Sequence, residues 1–274
     1  MHMPSKADKV ENAFISVNVI KNRRSSFPVG NWIMDSGAFT TIAKHGLYPE
    51  PVSVYAEQIR RWKNNGNLIA AVSQDYMCED IMLAKTGLSI KDHQRLTIER
   101  YDALIAEDTG VYIMPVLQGY SPESYVQHIH AYGDRLAYGA YVGVGSVCKR
   151  NSSPSSIVQV LQAIKACRPD LRLHGFGVKT TALAWGEVRD NLESADSMAW
   201  SFAARWETGD SNNWKDAVKF QEKIKRQHRY NTLRYEPYNS MHMYKILGHE
   251  PHHQHQYYNI LRCACRNWYK NQCM

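Results

Sequence analysis

The feature that most constrains the fold is a repeated event: a short apolar run stops at a polar or glycine-containing cluster, and a helix-like segment follows. Trp32 to Met34 stops at Asp35-Ser36-Gly37, and Leu68 to Val72 at Ser73-Gln74-Asp75. Val111 to Leu117 stops at Gln118-Gly119, Gly139 to Val144 at Gly145-Ser146, and Leu171 to His174 at Gly175-Phe176-Gly177. An earlier run, Ala13 to Ile20, reads as the first strand. Between the runs, Val52 to Lys63 carries Val54, Ile59 and Trp62 among charges. His93 to Glu107 places Leu96, Ile98, Tyr101, Leu104 and Ile105 on or near one face. Ser121-Pro122 and Ser153-Pro154 open two more helices in the N-cap and N1 positions those residues favour.

This βαβα alternation predicts a parallel sheet with right-handed crossovers, and about five or six such units suit a (β/α)8 barrel. In a barrel the strand C-termini converge on one rim, where active sites are built. A solvated turn accounts for any one of Asp35, Gln74, Asp75, Gln118, Gly145 and His174. It accounts less well for the whole set. At Asp35 itself two readings stand: one wall of an active site, or a strand-to-helix turn with Asp35 or Ser36 as N-cap and Gly37 easing the bend.

Composition narrows the setting. The 274 residues include 17 Tyr, 7 Trp and 6 Phe, enough to fill a core. No run approaches the roughly 18 apolar residues of a membrane helix, and the first residues hold no apolar stretch of signal-peptide type. Six unevenly placed cysteines do not suggest a disulfide framework, so a reducing, cytoplasmic location is expected. The net charge of +7 hints at a polyanionic partner. The character changes near residue 205. The expected division is a catalytic core over 1–205 and a basic subdomain rich in Tyr, His and Cys over 206–274. In the latter a helix from Asn213 or Asp216 carries Ala217, Phe220 and Ile224 on one face and a lysine-rich opposite face. That charged face reads equally as solvated surface or as a phosphate-binding strip.

The motifs carry a resemblance. Asp35-Ser36-Gly37-Ala38-Phe39, Gln118-Gly119, Gly143-Val144-Gly145 and Gly175-Phe176-Gly177 occur in the order seen in tRNA-guanine transglycosylases. Ser194-Ala195-Asp196 falls where that family has its nucleophile segment. The short chain, and Ala38 where tRNA-acting members carry a second glycine, make it most similar to the phage and bacterial branch that inserts 7-deazaguanines into DNA (DpdA-type). The resemblance implies a (β/α)8 barrel, DNA as partner, a base such as 7-cyano-7-deazaguanine (preQ0) as co-substrate, and no redox cofactor.

Residue by residue it implies Asp196 as the nucleophile at C1′ and Asp35 as general acid/base. Such a pair of carboxylates is what glycosidic-bond chemistry through an oxocarbenium-like state requires. Alone, Asp196 reads as a loop acid or a helix cap. Asp75 is expected to accept from the N1–H and amino group of a guanine-like base. Gln118, with Gly119 beside it, and the Gly145 N–H are expected to serve its carbonyl, and Ser36 to add a hydrogen bond. Phe39 and His174, next to Gly175, match the positions that sandwich the base. Arg205 matches an arginine near the nucleic-acid backbone, and Lys149 and Arg150 are further phosphate candidates on charge.

The family's structural zinc site is matched only partly. Cys263 and Cys265 supply the first pair, Trp268 stands where the third cysteine is expected, and Cys273 with His255 offers a rearranged set. Three other functions fit the sequence: the same exchange on tRNA, a metal-dependent barrel hydrolase using the C-terminal histidines, and a nucleic-acid-binding barrel without activity.

Overall fold

The computed structural model describes residues 4–150, 153–201, 209 and 213–226, apart from the side chain of Lys149. Arg205, His255, Cys263, Cys265 and Cys273 lie outside the described residues. The chain divides into two compact units, Met1–Gln221 and Glu222–Met274. Of the second, residues 222–226 are described; they are helical, with Glu222 paired to Arg226.

The first unit alternates strands and helices along its length. Its elements are β1 (Asn12–Ser16), α1 (Val17–Ile20), β2 (Asn31–Asp35), α2 (Ala38–His45), α3 (Val52–Trp62) and β3 (Asn67–Val72). Next come α4 (Asp80–Thr86), α5 (Ile90–Ala106), β4 (Ile113–Met114), β5 (Val116–Leu117), α6 (Pro122–Tyr132) and β6 (Tyr141–Val144). The series closes with α7 (Pro154–Cys167), β7 (Arg172–Gly175), α8 (Thr180–Leu183), α9 (Gly186–Arg189) and β8 (Ser194–Ala195). Residues 214–221 are helical, as the pattern of Ala217 and Phe220 predicts.

All the ladders are parallel, in the orders β1-β2-β3-β4 and β5-β6-β7-β8. The division between the two sheets has a chemical cause. The run expected as one strand, Val111 to Leu117, contains Pro115, which has no N–H to give a ladder. Residues before it pair with β3 and residues after it with β6, while the Pro115 carbonyl still accepts from Gly143 N–H at 2.9 Å. No β8–β1 ladder occurs among the described residues. What stands is an α/β fold with two four-stranded parallel sheets.

The inner faces of both sheets nevertheless share one apolar cluster. Ile33, Ala70, Val72, Met114 and Val116 pack with Phe14, Tyr141 and Phe176. The Phe14 ring of β1 stacks on His174 of β7 at 5.2 Å. Helices cover the outer faces: α3 buries Tyr55, Ala56, Ile59 and Trp62, and α7 buries Ile157, Val160, Leu161 and Ile164, each at helical spacing.

Two expectations need correction. The apolar run Ala13–Ile20 is not one strand; it is cut after Ser16, and Val17–Ile20 forms a helical turn that brings Asn18 to the Gly37 carbonyl. The helix expected from His93 begins at Ile90, held by a capping box between Ser89 and Asp92. Its inward face includes His93, Gln94 and Thr97, all buried, whereas Ile105 is half exposed. These polar groups are inside because each braces a loop of the site: His93 Nδ1 meets Met77 O at 2.7 Å, Thr97 Oγ1 accepts from Tyr76 N–H, and Gln94 Nε2 donates to Gln118 O.

Candidate active site

Every strand end singled out in the sequence contributes to one polar region. At the end of β2, Gly37 is the N-cap of α2 and adopts the left-handed conformation (φ 72°). A side chain there would collide with Asn18. Asp35 and Ser36 are therefore not caps, and the Asp35 carboxyl is held instead by the Ser16 hydroxyl and the Gly37 N–H. Ser16 and Asp35 are ladder partners, which is why β1 ends at the same place. Burial pushes the Asp35 pKa above the ordinary carboxylate value, and the negative charge of Asp196 adds to the rise.

At the end of β3, Gln74 and Asp75 point to opposite sides, as successive residues of an extended chain must. Gln74 turns back toward α5 and accepts from Arg100 at 2.6 and 3.0 Å. Asp75 turns inward, 6 % exposed. Desolvation raises its pKa to about 7, opposed by a hydrogen bond from Gln118 and assisted by the charges of Asp35 and Glu79.

Asp75 is one end of a buried chain. Gln118 Nε2 donates to Asp75 Oδ2, and Gln118 Oε1 accepts from Ser146 Oγ at 2.7 Å. Ser146 Oγ in turn accepts from Cys78 N–H and lies 3.1 Å from Glu79 Oε2. Ser146 holds a positive φ of 56°, uncommon for a residue with a side chain and consistent with a position fixed by this network. Gly145 precedes it because a Cβ there would overlap the Gln118 amide. Its N–H donates to Leu117 O at 2.9 Å within the ladder, so it is not the free donor expected for a base carbonyl. Gly119 packs against Ser124 and Tyr125, where a Cβ would also collide.

On the other side, Asp196 follows β8, its side chain 18 % exposed. Its Oδ1 accepts from Gly177 N–H at 3.1 Å and meets His174 Nε2 at 3.3 Å. Its own N–H donates to Gly175 O. His174, expected to stack on the base, is 2 % exposed; its ring stacks on Phe14 and stands at 65° to Phe176 at 5.0 Å. Phe39, by contrast, is 49 % exposed at the start of α2.

Two hydroxyls at the strand ends, Ser36 Oγ and Ser73 Oγ, are buried without a hydrogen-bond partner among the described residues. Buried polar groups are almost always paired, so these are groups that a ligand can satisfy. Arg150 reaches across the rim to the Tyr120 and Ser146 carbonyls, its guanidinium 5.2 Å from the Tyr120 ring centroid. No group of three His, Cys, Asp or Glu side chains suited to a metal forms among the described residues. None of the described helices is long and apolar enough to cross a membrane.

Ser16, Glu79 and Tyr141 were not singled out from the sequence, and Ser146 and Ser194 entered only as members of motifs, without a role of their own. Ser146 was findable, since it follows a strand run as Asp75 does, whereas Ser16 lies inside the run Ala13–Ile20 read as one strand. Glu79 lies beyond a strand end in an irregular loop, and nothing in its local pattern marks it as buried.

Asp35, Asp75 and Asp196 thus stand at or just past the C-terminal ends of parallel strands, with Glu79 in the loop beyond β3. The comparison with family models is specific: the model for DpdA, DeoxyPurine in DNA protein A, matches residues 2–227. The chain belongs to that family, and by class it is a DNA-modifying transglycosylase. No curated protein matches the sequence.

Proposed function

We propose that the protein exchanges guanine in DNA for a 7-deazaguanine base, such as 7-cyano-7-deazaguanine, through a covalent bond between Asp196 and the deoxyribose. The observation that carries this reading is that two carboxylates from distant parts of the chain, Asp35 and Asp196, lie near enough for the Asp196 charge to help hold the Asp35 pKa above its ordinary value. A raised pKa suits a proton donor, and a carboxylate held through one oxygen suits a nucleophile.

The proton balance closes over the cycle. Asp196 Oδ2 attacks C1′ as the C1′–N9 bond breaks, and the bonding pair passes to the guanine ring, which takes the Asp35 proton. The ester carries no charge, so one cause of the raised Asp35 pKa is removed as Asp35 gives up its proton. Asp35 then takes the N9 proton of the incoming base, N9 attacks C1′, and Asp196 leaves as a carboxylate. No net electrons move, so the exchange needs no redox cofactor.

Asp75 would accept from the N1–H and amino group of the base. Gln118 Nε2 carries two hydrogens; one is committed to Asp75, leaving the second for the base carbonyl. Ser36 supplies a further hydroxyl, and the exposed Phe39 ring is the stacking surface. The two sheets would act as one (β/α)8 barrel interrupted at Pro115, which is how all these strand ends come to share one mouth. The target nucleotide must be flipped or single-stranded to reach it.

The test offers labelled guanine or 7-cyano-7-deazaguanine with DNA and, separately, with tRNA. Label entering DNA supports the proposal, and label entering tRNA alone would overturn it.

A further inference from the structure

His174 sits behind the proposed nucleophile, Asp196. Its Nε2 is 3.3 Å from Asp196 Oδ1 and its Nδ1 is 2.7 Å from Ser194 Oγ. Tyr141 OH hydrogen-bonds the same Ser194 oxygen and lies 3.3 Å from Nδ1. His174 and Ser194 are ladder partners on β7 and β8, so the register of the sheet sets their distance. The ring is wedged by Phe14 and Phe176 and is almost wholly buried.

The polarity of this chain follows from its ends. A carboxylate oxygen only accepts, so Nε2 must carry the hydrogen that bonds Asp196. In the neutral ring Nδ1 is then the acceptor, the Ser194 hydroxyl donates to it, and the Tyr141 hydroxyl donates to Ser194. Gly177 N–H adds a second donor to the same carboxylate oxygen.

We propose that His174 is a positioning residue for Asp196, itself held in one tautomer by Ser194 and Tyr141. The two donors engage Oδ1 and leave Oδ2 as the atom aimed at C1′. They remain bonded to Oδ1 when it becomes the ester carbonyl, and strengthen as the carboxylate is regenerated in the second half of the exchange. The inference rests on Asp196 being the nucleophile. It adds a buried Tyr–Ser–His arrangement that ends, among the described residues, on that carboxylate.

The test measures single-turnover formation of the covalent DNA adduct, together with KM for the incoming base. His174→Phe keeps the stacking volume and removes both ring nitrogens. It should slow adduct formation by about 100-fold, the scale of losing a supporting contact that orients a reacting group, with KM nearly unchanged. His174→Gln restores an N–H donor near the Nε2 position and should recover most of that loss. Ser194→Ala and Tyr141→Phe should each give a smaller loss of about 10-fold, and they carry the test if His174→Phe does not fold. A folded His174→Phe enzyme forming adduct at the wild-type rate would overturn the proposal, as would a rise in KM with the rate unchanged. Asp196→Asn separates the two ideas: adduct formation in that variant would mean the nucleophile itself is misassigned, whatever His174 does.

Discussion

Replacing Asp75 by Asn sets folding against function at one atom pair. The side chain is buried, and its pKa stands at about 7 against an ordinary value of 3.8. A group whose pKa is raised on folding contributes stability that is fully present below the unfolded pKa and lost as pH rises through the folded one. Here the window runs from about pH 4 to pH 7. The gap corresponds to roughly 4 kcal/mol at pH 8 and roughly 2 kcal/mol at pH 5. Asparagine has no charge to desolvate, and its oxygen can still accept from Gln118 Nε2. Asp75→Asn should therefore raise the melting temperature of the free protein, by something on the order of 10 °C at pH 8 and about half that at pH 5. The same change removes the carboxylate that would accept from N1–H and the amino group. KM for the incoming base should rise by about 100-fold, the scale of losing a charge-assisted pair. Wild-type base affinity should weaken as pH falls through 7 and Asp75 takes up a proton. Thermal melts at the two pH values and base-exchange kinetics provide the readouts. An Asp75→Asn protein that is less stable than wild type at pH 8, or whose stability difference does not change with pH, would refute the reasoning.

The proton-handling role of Asp35 predicts that Asp35→Asn slows exchange by about 10²- to 10⁴-fold. A deoxyribosyl substrate whose base leaves without protonation should lose much less, and equal losses on both substrates would count against general acid catalysis. Arg150 is held on the Tyr120 and Ser146 carbonyls. Arg150→Ala should weaken DNA binding across sequences and reduce the slope of log affinity against log salt by about 1; an unchanged slope would remove Arg150 from the phosphate contacts.

Much of this architecture was legible because it follows from periodicity. The apolar runs, the Ser121-Pro122 and Ser153-Pro154 helix starts and the polar strand ends all translate directly into elements. Two features of the fold are set locally, by single residues. Pro115 lies inside an apolar run and removes one ladder donor, which divides the parallel arrangement into two sheets. Ser16 ends a strand inside a continuous apolar stretch, where hydrophobicity alone gives no signal to stop.

The site divides in the same way. Asp35, Asp75 and Gln118 sit at strand ends and could be named from position, whereas Asp196 needed the family resemblance to single it out. Partners such as Ser16 and Glu79 could not be named, because a buried serine or glutamate has the same local pattern as an exposed one. His174 shows the limit most clearly. Position marked it as a strand-end residue, but only the structure shows its stacking on Phe14 and its contact with Asp196.

The central claim is that Asp196 bonds to the sugar, and trapping the intermediate tests it most directly. The enzyme is incubated with DNA in the absence of incoming base, denatured, digested and mapped by mass spectrometry. The account predicts a deoxyribosyl ester on the peptide containing Asp196, absent from Asp196→Asn and slowed in Asp35→Asn. An adduct on any other residue, or base exchange surviving in Asp196→Asn, would contradict it.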